Sequence, residues 1–198
     1  MEIFARYIAI ILSGLLTENI LLTRALDAGD MIGMINSPKK IKNFSAVFAI
    51  VISISSVLCG VADSLAGRFN FEFYSFLKPT IYLALVSAVY LSLYFILKSS
   101  DKFKEEFKHI LAYASINSGV YGVMFIENRY EMGIVESLAY GLSASAGMFL
   151  ALFVILNARQ AIKYSDVPRL FRGLPILLIY IGLLALGIFG LFGHPLPA

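Results

Sequence analysis

The stretch IVESLAYGLSASAGMFLALFVIL, Ile134–Leu156, decides the fold. It carries one formal charge, Glu136, in a run longer than the roughly 20 apolar residues a helix needs to cross about 30 Å of hydrocarbon. Within it Gly141 and Ser145, and the offset pair Ser143 and Gly147, repeat small side chains at a spacing of four, which lets helix backbones approach closely in a membrane. Outward from this stretch, five further segments meet the same length: Ile3–Leu26, Ile41–Ala62, Pro79–Leu97, Phe107–Ile126 and Leu174–Phe192. Polar connections separate them. The composition agrees, with 59% hydrophobic and 15% charged residues and a mean hydropathy of +0.82. An ordinary soluble domain has about 45–50% and about 25%. With 16 basic and 13 acidic side chains, clustered as they are, the chain cannot coat a water-facing surface. These readings predict an all-α integral membrane protein of six transmembrane helices, one domain over residues 1–198 in a lipid bilayer.

The same inventory removes several functional classes. One cysteine, Cys59, excludes an intrachain disulfide and a thiolate metal or iron–sulfur site built by this chain alone. His109 and His194 do not make a multi-histidine metal site, so no metal is expected. No phosphate-binding Gly-x-x-x-x-Gly-Lys run or dinucleotide-binding Gly-x-Gly-x-x-Gly motif occurs. The net charge of +3 reflects membrane topology, not a nucleic-acid partner. The first segment carries Glu18, Asn19 and Arg24, lacks a small-residue cleavage site and is as long as a true span, so it reads as a helix and not a signal peptide.

Basic residues set the orientation. Arg24, Lys39, Lys40 and Lys42 follow the first span, Lys98, Lys102, Lys104 and Lys108 the third, and Arg159, Lys163, Arg169 and Arg172 the fifth. Only Arg6, Arg68, Lys78 and Arg129 lie toward the other side, so the positive-inside rule places both termini on the non-cytoplasmic side of the cell's inner (plasma) membrane. The charged connection Lys98–Lys108 divides the chain into three spans and three spans, about 1–98 and 99–198. An odd number per half forces the halves into opposite orientation, the layout of an inverted repeat.

Such repeats place a site near the midplane where two corresponding helices are interrupted. Thr17, Glu18 and Asn19 mark one candidate break, in the first span; Ser115, Asn117, Ser118 and Gly119 mark the other, in the fourth. A continuous helix from Ile3 would carry Glu18 about 22 Å into the membrane, where a carboxylate is either functional or tied to a cation or a neighbouring helix. Both roles stay open at this point. Gly187, Gly190 and Gly193 form a small-residue stripe suited to packing, Cys59 reads as a small buried hydrophobe, and Lys102–Lys108 reads as a solvated connection or partner contact.

Late in the chain Glu136-Ser137-x-x-Tyr140-Gly141, the small-residue run to Gly147, Arg159, and Lys163-Tyr164-Ser165-Asp166-Val167-Pro168 followed by Phe171-Arg172-Gly173 resemble the integral membrane subunits of the Rnf and sodium-translocating NADH:quinone oxidoreductase (Nqr) complexes. Within that family the chain resembles the E subunit of Nqr and its counterpart, the A subunit of Rnf. Glu18-Asn19 and Asn117 match the family's leading helices more loosely, and the register is weaker over 25–39 and 63–78. The resemblance implies two inverted three-helix repeats and pairing with an oppositely oriented homologue, alongside flavin or iron–sulfur subunits, in a complex coupling electron transfer to sodium or proton translocation.

It also implies a departure. Family members supply one cysteine after each leading helix break, and the homologous pair shares a [2Fe-2S] cluster. Here Gly29 and Ser118 occupy those positions, so no cofactor is expected in this chain. The resemblance therefore implies an ion-translocase membrane subunit, non-catalytic alone, with Glu18, Asn19, Asn117 and Ser118 as an ion-accessible constriction. A clusterless paralogue acting as a transporter component or scaffold is the alternative, and a polytopic protein of unrelated function a third. Asp166, Pro168 and Arg172 read as a cytoplasmic folding and docking loop, since Asp caps a turn and Pro fixes it.

Overall fold

A computed structural model of the chain describes residues 2–26, 37–68, 73–99, 105–163 and 165–192. Among these residues all regular structure is helical: α1 (Glu2–Leu12), α2 (Pro38–Arg68), α3 (Tyr74–Ser99), α4 (Glu105–Ser115), α5 (Ser118–Arg129), α6 (Ile134–Lys163) and α7 (Leu174–Phe192). Five helical stretches are long and apolar enough to cross a bilayer, with α4 and α5 together counted as one from Phe107 to Arg129. The first apolar stretch is shorter, Ile3–Thr17.

That shortening corrects the first expected span. The helix does not run to Leu26: α1 widens into a π-helical turn over Ser13–Thr17, where the Glu18 N–H bonds to the Ser13 carbonyl five residues back, and helical geometry then ends. Irregular backbone at membrane depth is tolerated only where protein satisfies its polar groups or a cavity does. The fourth expected span is likewise two helices, α4 and α5, separated at Ile116–Asn117. The second, third and fifth spans run several residues past their expected ends, to Arg68, from Tyr74 and to Lys163.

The bundle is organised around α6. Arg6 pairs with Glu136, and the Gly14 and Leu15 carbonyls lie against Gly147, so α1 runs parallel to α6. Gly60 lies against Ile134 and Ile52 against Gly141, so α2 runs antiparallel to it. The core is built by Phe48, Val51 and Ile52 of α2, Val120 and Val123 of α5, and Tyr140, Ala144 and Met148 of α6, all fully or almost fully buried. Small residues on α6 make this possible: a Cβ at Gly147 would stand 2.8 Å from the Gly14 and Leu15 carbonyl oxygens and 2.9 Å from Asn19 Nδ2. The close approach expected of the Gly141–Gly147 run is therefore present, and its partners are the broken end of α1 and the face of α2.

The outer surface is apolar in the way lipid requires. Phe76, Phe95 and Ile96 on α3 and Leu183, Leu186 and Leu191 on α7 are exposed. On α7 Gly187 and Gly190 have open space around them within this chain, where Leu177 and Ile181 are the buried residues of that helix among those described, and Gly193 lies outside the described residues. Cys59 packs as a small hydrophobe, 3% exposed on α2.

Candidate functional site

The two breaks meet inside the bundle. Gly147, against which the first break packs, is about 20 Å along the 30-residue α6 at 1.5 Å per residue, close to its middle. Ile20, the residue after Asn19, lies against Gly119, two residues after Asn117, and Phe48 of α2 covers the same glycine. The chain thus brings the two sequence-predicted interruptions side by side.

Each break is held by an asparagine in the same way. Asn19 Nδ2 donates to the Leu15 carbonyl four residues back (3.1 Å), and Oδ1 accepts from the Leu22 N–H three residues on (3.1 Å) and from the Leu21 N–H (3.1 Å). Asn117 Nδ2 donates to the Tyr113 carbonyl four residues back (2.9 Å), and Oδ1 accepts from the Val120 N–H three residues on (2.9 Å). Both side chains satisfy a carbonyl of the helical turn before them and an N–H beyond them, in the turn at Leu21–Leu22 for Asn19 and in the first turn of α5 for Asn117, which water does at a helix end outside the membrane. Both are buried. Ser118, the first residue of α5, is exposed on the outside of the bundle.

Glu18 is not isolated. Its carboxylate forms an ion pair with Arg24 and accepts a hydrogen bond from the Tyr130 hydroxyl (3.2 Å), so residues on either side of the first break and the end of α5 converge on it. The chain turns back between them, and Ala25 adopts a left-handed φ of 53°. Such strain in a residue with a Cβ persists only where its surroundings over-determine it.

Two acidic groups escaped the sequence reading. Glu127, 5% exposed on α5, accepts a hydrogen bond from Ser56 Oγ of α2 at 2.8 Å. Asp63 of α2 accepts from the Tyr74 hydroxyl (2.5 Å), the Tyr82 hydroxyl (2.6 Å) and Asn128 Nδ2 (3.3 Å), and pairs with Lys78 Nζ at 3.3 Å. Lys78 also lies over the Tyr74 and Tyr82 rings, 5.3 and 5.8 Å from their centroids. A cavity of about 300 Å³ opens between Cys59, Asp63, Glu127 and Ser137. The signal existed: an ionisable residue within a membrane span stands out by default. The expected spans ended at Ala62 and Ile126, one residue short of each carboxylate.

The Tyr140 hydroxyl, fully buried on α6, has no protein hydrogen-bond partner among the described residues. Ser115 Oγ, beside the second break, is buried in the same state. Hydroxyls of this kind are the places where a buried water or ion completes a polar network.

Among the described residues at the two breaks there is no cysteine. Ser118 offers a hydroxyl and no thiolate. Phe48 lies at the second break, and Cys59 is eleven residues further along α2, about 16 Å away along the helix axis. Gly29 lies outside the described residues. Asp166, Pro168 and Arg172 sit together at the opposite end of the bundle from Glu127 and Asp63, where Arg172 Nε donates to the Val167 carbonyl (2.8 Å) and Pro168 leads into a short 3₁₀ turn over Arg169–Phe171.

Comparison with known proteins agrees with this architecture. The model of the family described as Rnf-Nqr subunit, membrane protein matches residues 7–194. The chain is 29% identical over 189 residues to the A subunit of the ion-translocating oxidoreductase complex of Alcanivorax borkumensis, covering 94% of this chain and 96% of the relative. It is 27% identical over 205 residues to the E subunit of the Na(+)-translocating NADH-quinone reductase of Hahella chejuensis, covering 96% and 98%. A shorter match, 39% identical over 77 residues and covering 39% of this chain and 40% of the relative, is to the A subunit of the ion-translocating oxidoreductase complex of Buchnera aphidicola. The chain is a multi-pass membrane protein that belongs to the Rnf-Nqr family.

Proposed function

We propose that this protein is a membrane subunit of a redox-driven ion-translocating complex of the Rnf/Nqr type. It would be built from two inverted three-helix repeats and paired with an oppositely oriented homologue. The observation that carries this reading is the pair of breaks: two leading helices interrupted side by side, each held by an asparagine bonding to residues four back and three on. Broken helices at the interface between repeats expose backbone dipoles near the midplane, where an ion loses its water. Glu18, held by Arg24 and Tyr130, supplies the fixed charge of the constriction. Asn19 and Asn117 hold its backbone open, and Ser118 marks its outer edge, where the homologous partner seats. Both termini lie on the non-cytoplasmic side, and Asp166, Pro168 and Arg172 form an assembly element on the cytoplasmic side.

The chain contributes no thiolate to a [2Fe-2S] cluster, and its share of the work is positional and electrostatic: binding the partner, holding the constriction and keeping lipid out of it. The position of Ser118 also favours a second reading, a scaffold or transporter component that has given up the electron relay. Purification of the full chain with its membrane partners separates the two. A second Rnf-Nqr chain together with flavin-bearing subunits, and no [2Fe-2S] signal in the reduced-state EPR spectrum from the breaks of this chain, is the expected result. Copurification without any redox subunit supports the scaffold. Iron and acid-labile sulfide in equal amounts at this interface overturns the ligand argument.

A further inference from the structure

Where α6 ends and α7 begins, the connection folds back over a cavity of about 620 Å³, on the order of twenty water volumes. Three cations line it: Arg159 and Lys163 from the last turns of α6, and Arg172 from the connection. Asp166 is the carboxylate that lines it with them. Arg172 is held in place by the bond from its Nε to the Val167 carbonyl. Gly173, at a φ of 87° that a side chain would strain, turns the chain so that the first turn of the 19-residue α7 opens onto the same space through Leu174 and Leu177. Apart from Pro175, which has none, the N–H groups of that turn have no intrahelical acceptor, and the helix dipole adds positive potential there.

The cavity therefore offers a positive potential that suits a phosphate, and its other walls bear on which kind. Ile162, Leu174 and Leu177 make part of the lining apolar, and the adjoining Leu170 is 89% exposed, with Phe171 beside it. A free phosphate ion uses neither the apolar wall nor most of the volume. An amphiphile uses both: its headgroup meets the three cations while its chains run down the exposed face of α7. The site also lies at the ends of two membrane-crossing helices, the depth of a headgroup layer, where basic pockets between helices recognise anionic lipid.

We propose that this cavity holds the phosphate of an anionic phospholipid headgroup. The leaflet it comes from rests on the sidedness inferred above, whereas retention of the lipid in detergent solution does not depend on sidedness, so the two readings fail separately.

The test is native mass spectrometry of the full chain, purified with the partners it retains, after addition of phosphatidylglycerol, phosphatidylcholine or inorganic phosphate. Phosphatidylglycerol should be retained in preference to phosphatidylcholine. Lys163→Gln with Arg172→Gln should weaken that retention about 25-fold, from roughly fivefold per basic side chain. Asp166→Asn should strengthen it, a gain that misfolding does not produce, and Lys163→Arg should preserve it. Equal retention of the two lipids, or no change in the double variant, overturns the proposal. Displacement of phosphatidylglycerol by equimolar inorganic phosphate overturns the lipid source and assigns the site to a free anion.

Discussion

At the residue scale, Gly147 is the position at which the smallest change has the largest effect. A methyl group there meets two backbone carbonyls at 2.8 Å, which cannot rotate away, and the Asn19 side-chain amide at 2.9 Å. Gly147→Ala should lower stability by about 1–3 kcal/mol, read as a lower melting temperature in detergent. Gly182→Ala, with nothing within 4 Å of the new Cβ, should stay within about 0.5 kcal/mol of the parent and serves as its control. The asparagines of the breaks form a second pair. Asn19→Ala and Asn117→Ala each remove a donor from one carbonyl and an acceptor from the N–H groups beyond, and each should cost about 1–2 kcal/mol. A melting temperature unchanged in either would show that the bonds are not what holds the break.

At the element scale, the cluster around Asp63 ties three helices together: α2 through Asp63, α3 through Tyr74, Lys78 and Tyr82, and α5 through Asn128. Removing the carboxylate leaves Lys78 facing two phenol rings without its counter-charge. Asp63→Ala should destabilise by about 2–3 kcal/mol, and Tyr82→Phe, which deletes one hydrogen bond, by about 1 kcal/mol. Chemical denaturation of the two variants in one detergent checks the order; an equal loss in both would place the stabilisation in packing of the rings. The Ser56–Glu127 bond makes a second, fully buried tie between α2 and α5 one to two turns deeper.

At the scale of the whole molecule, the predictions concern transport and orientation. Glu18→Gln keeps an acceptor for Arg24 and Tyr130 but removes the charge, so the complex should assemble while its ion dependence changes; unaltered translocation in reconstituted vesicles would remove Glu18 from the ion path. In a Cys59→Ser background, Asp166→Cys should react with an impermeant maleimide from the cytoplasmic side and Gly133→Cys from the opposite side. The reverse pattern would invert the molecule. Both positions lie outside helices, at opposite ends of α6, so labelling reports sidedness without disturbing a core contact.

Much of this protein was legible before any coordinate. Membrane residence, five of the six expected spans and the two interruptions follow from hydrophobic length and from polar residues such as Glu18, Asn19 and Asn117 in apolar runs, because lipid imposes the same demand on every residue of a span. The family was legible in the run from Glu136 to Gly173. Helix ends were not, since an apolar count cannot tell where a helix passes out of the hydrocarbon, and that hid Asp63 and Glu127 just beyond the expected limits. Whether Glu18 stands alone or is paired was equally out of reach: Tyr130 is 112 residues away, and only packing brings its hydroxyl to the carboxylate. The sequence by itself determined that the chain resides in a membrane and which of its apolar runs are interrupted. The tertiary structure alone decided which polar groups meet, because a hydrogen bond depends on side chains approaching from helices far apart in the chain.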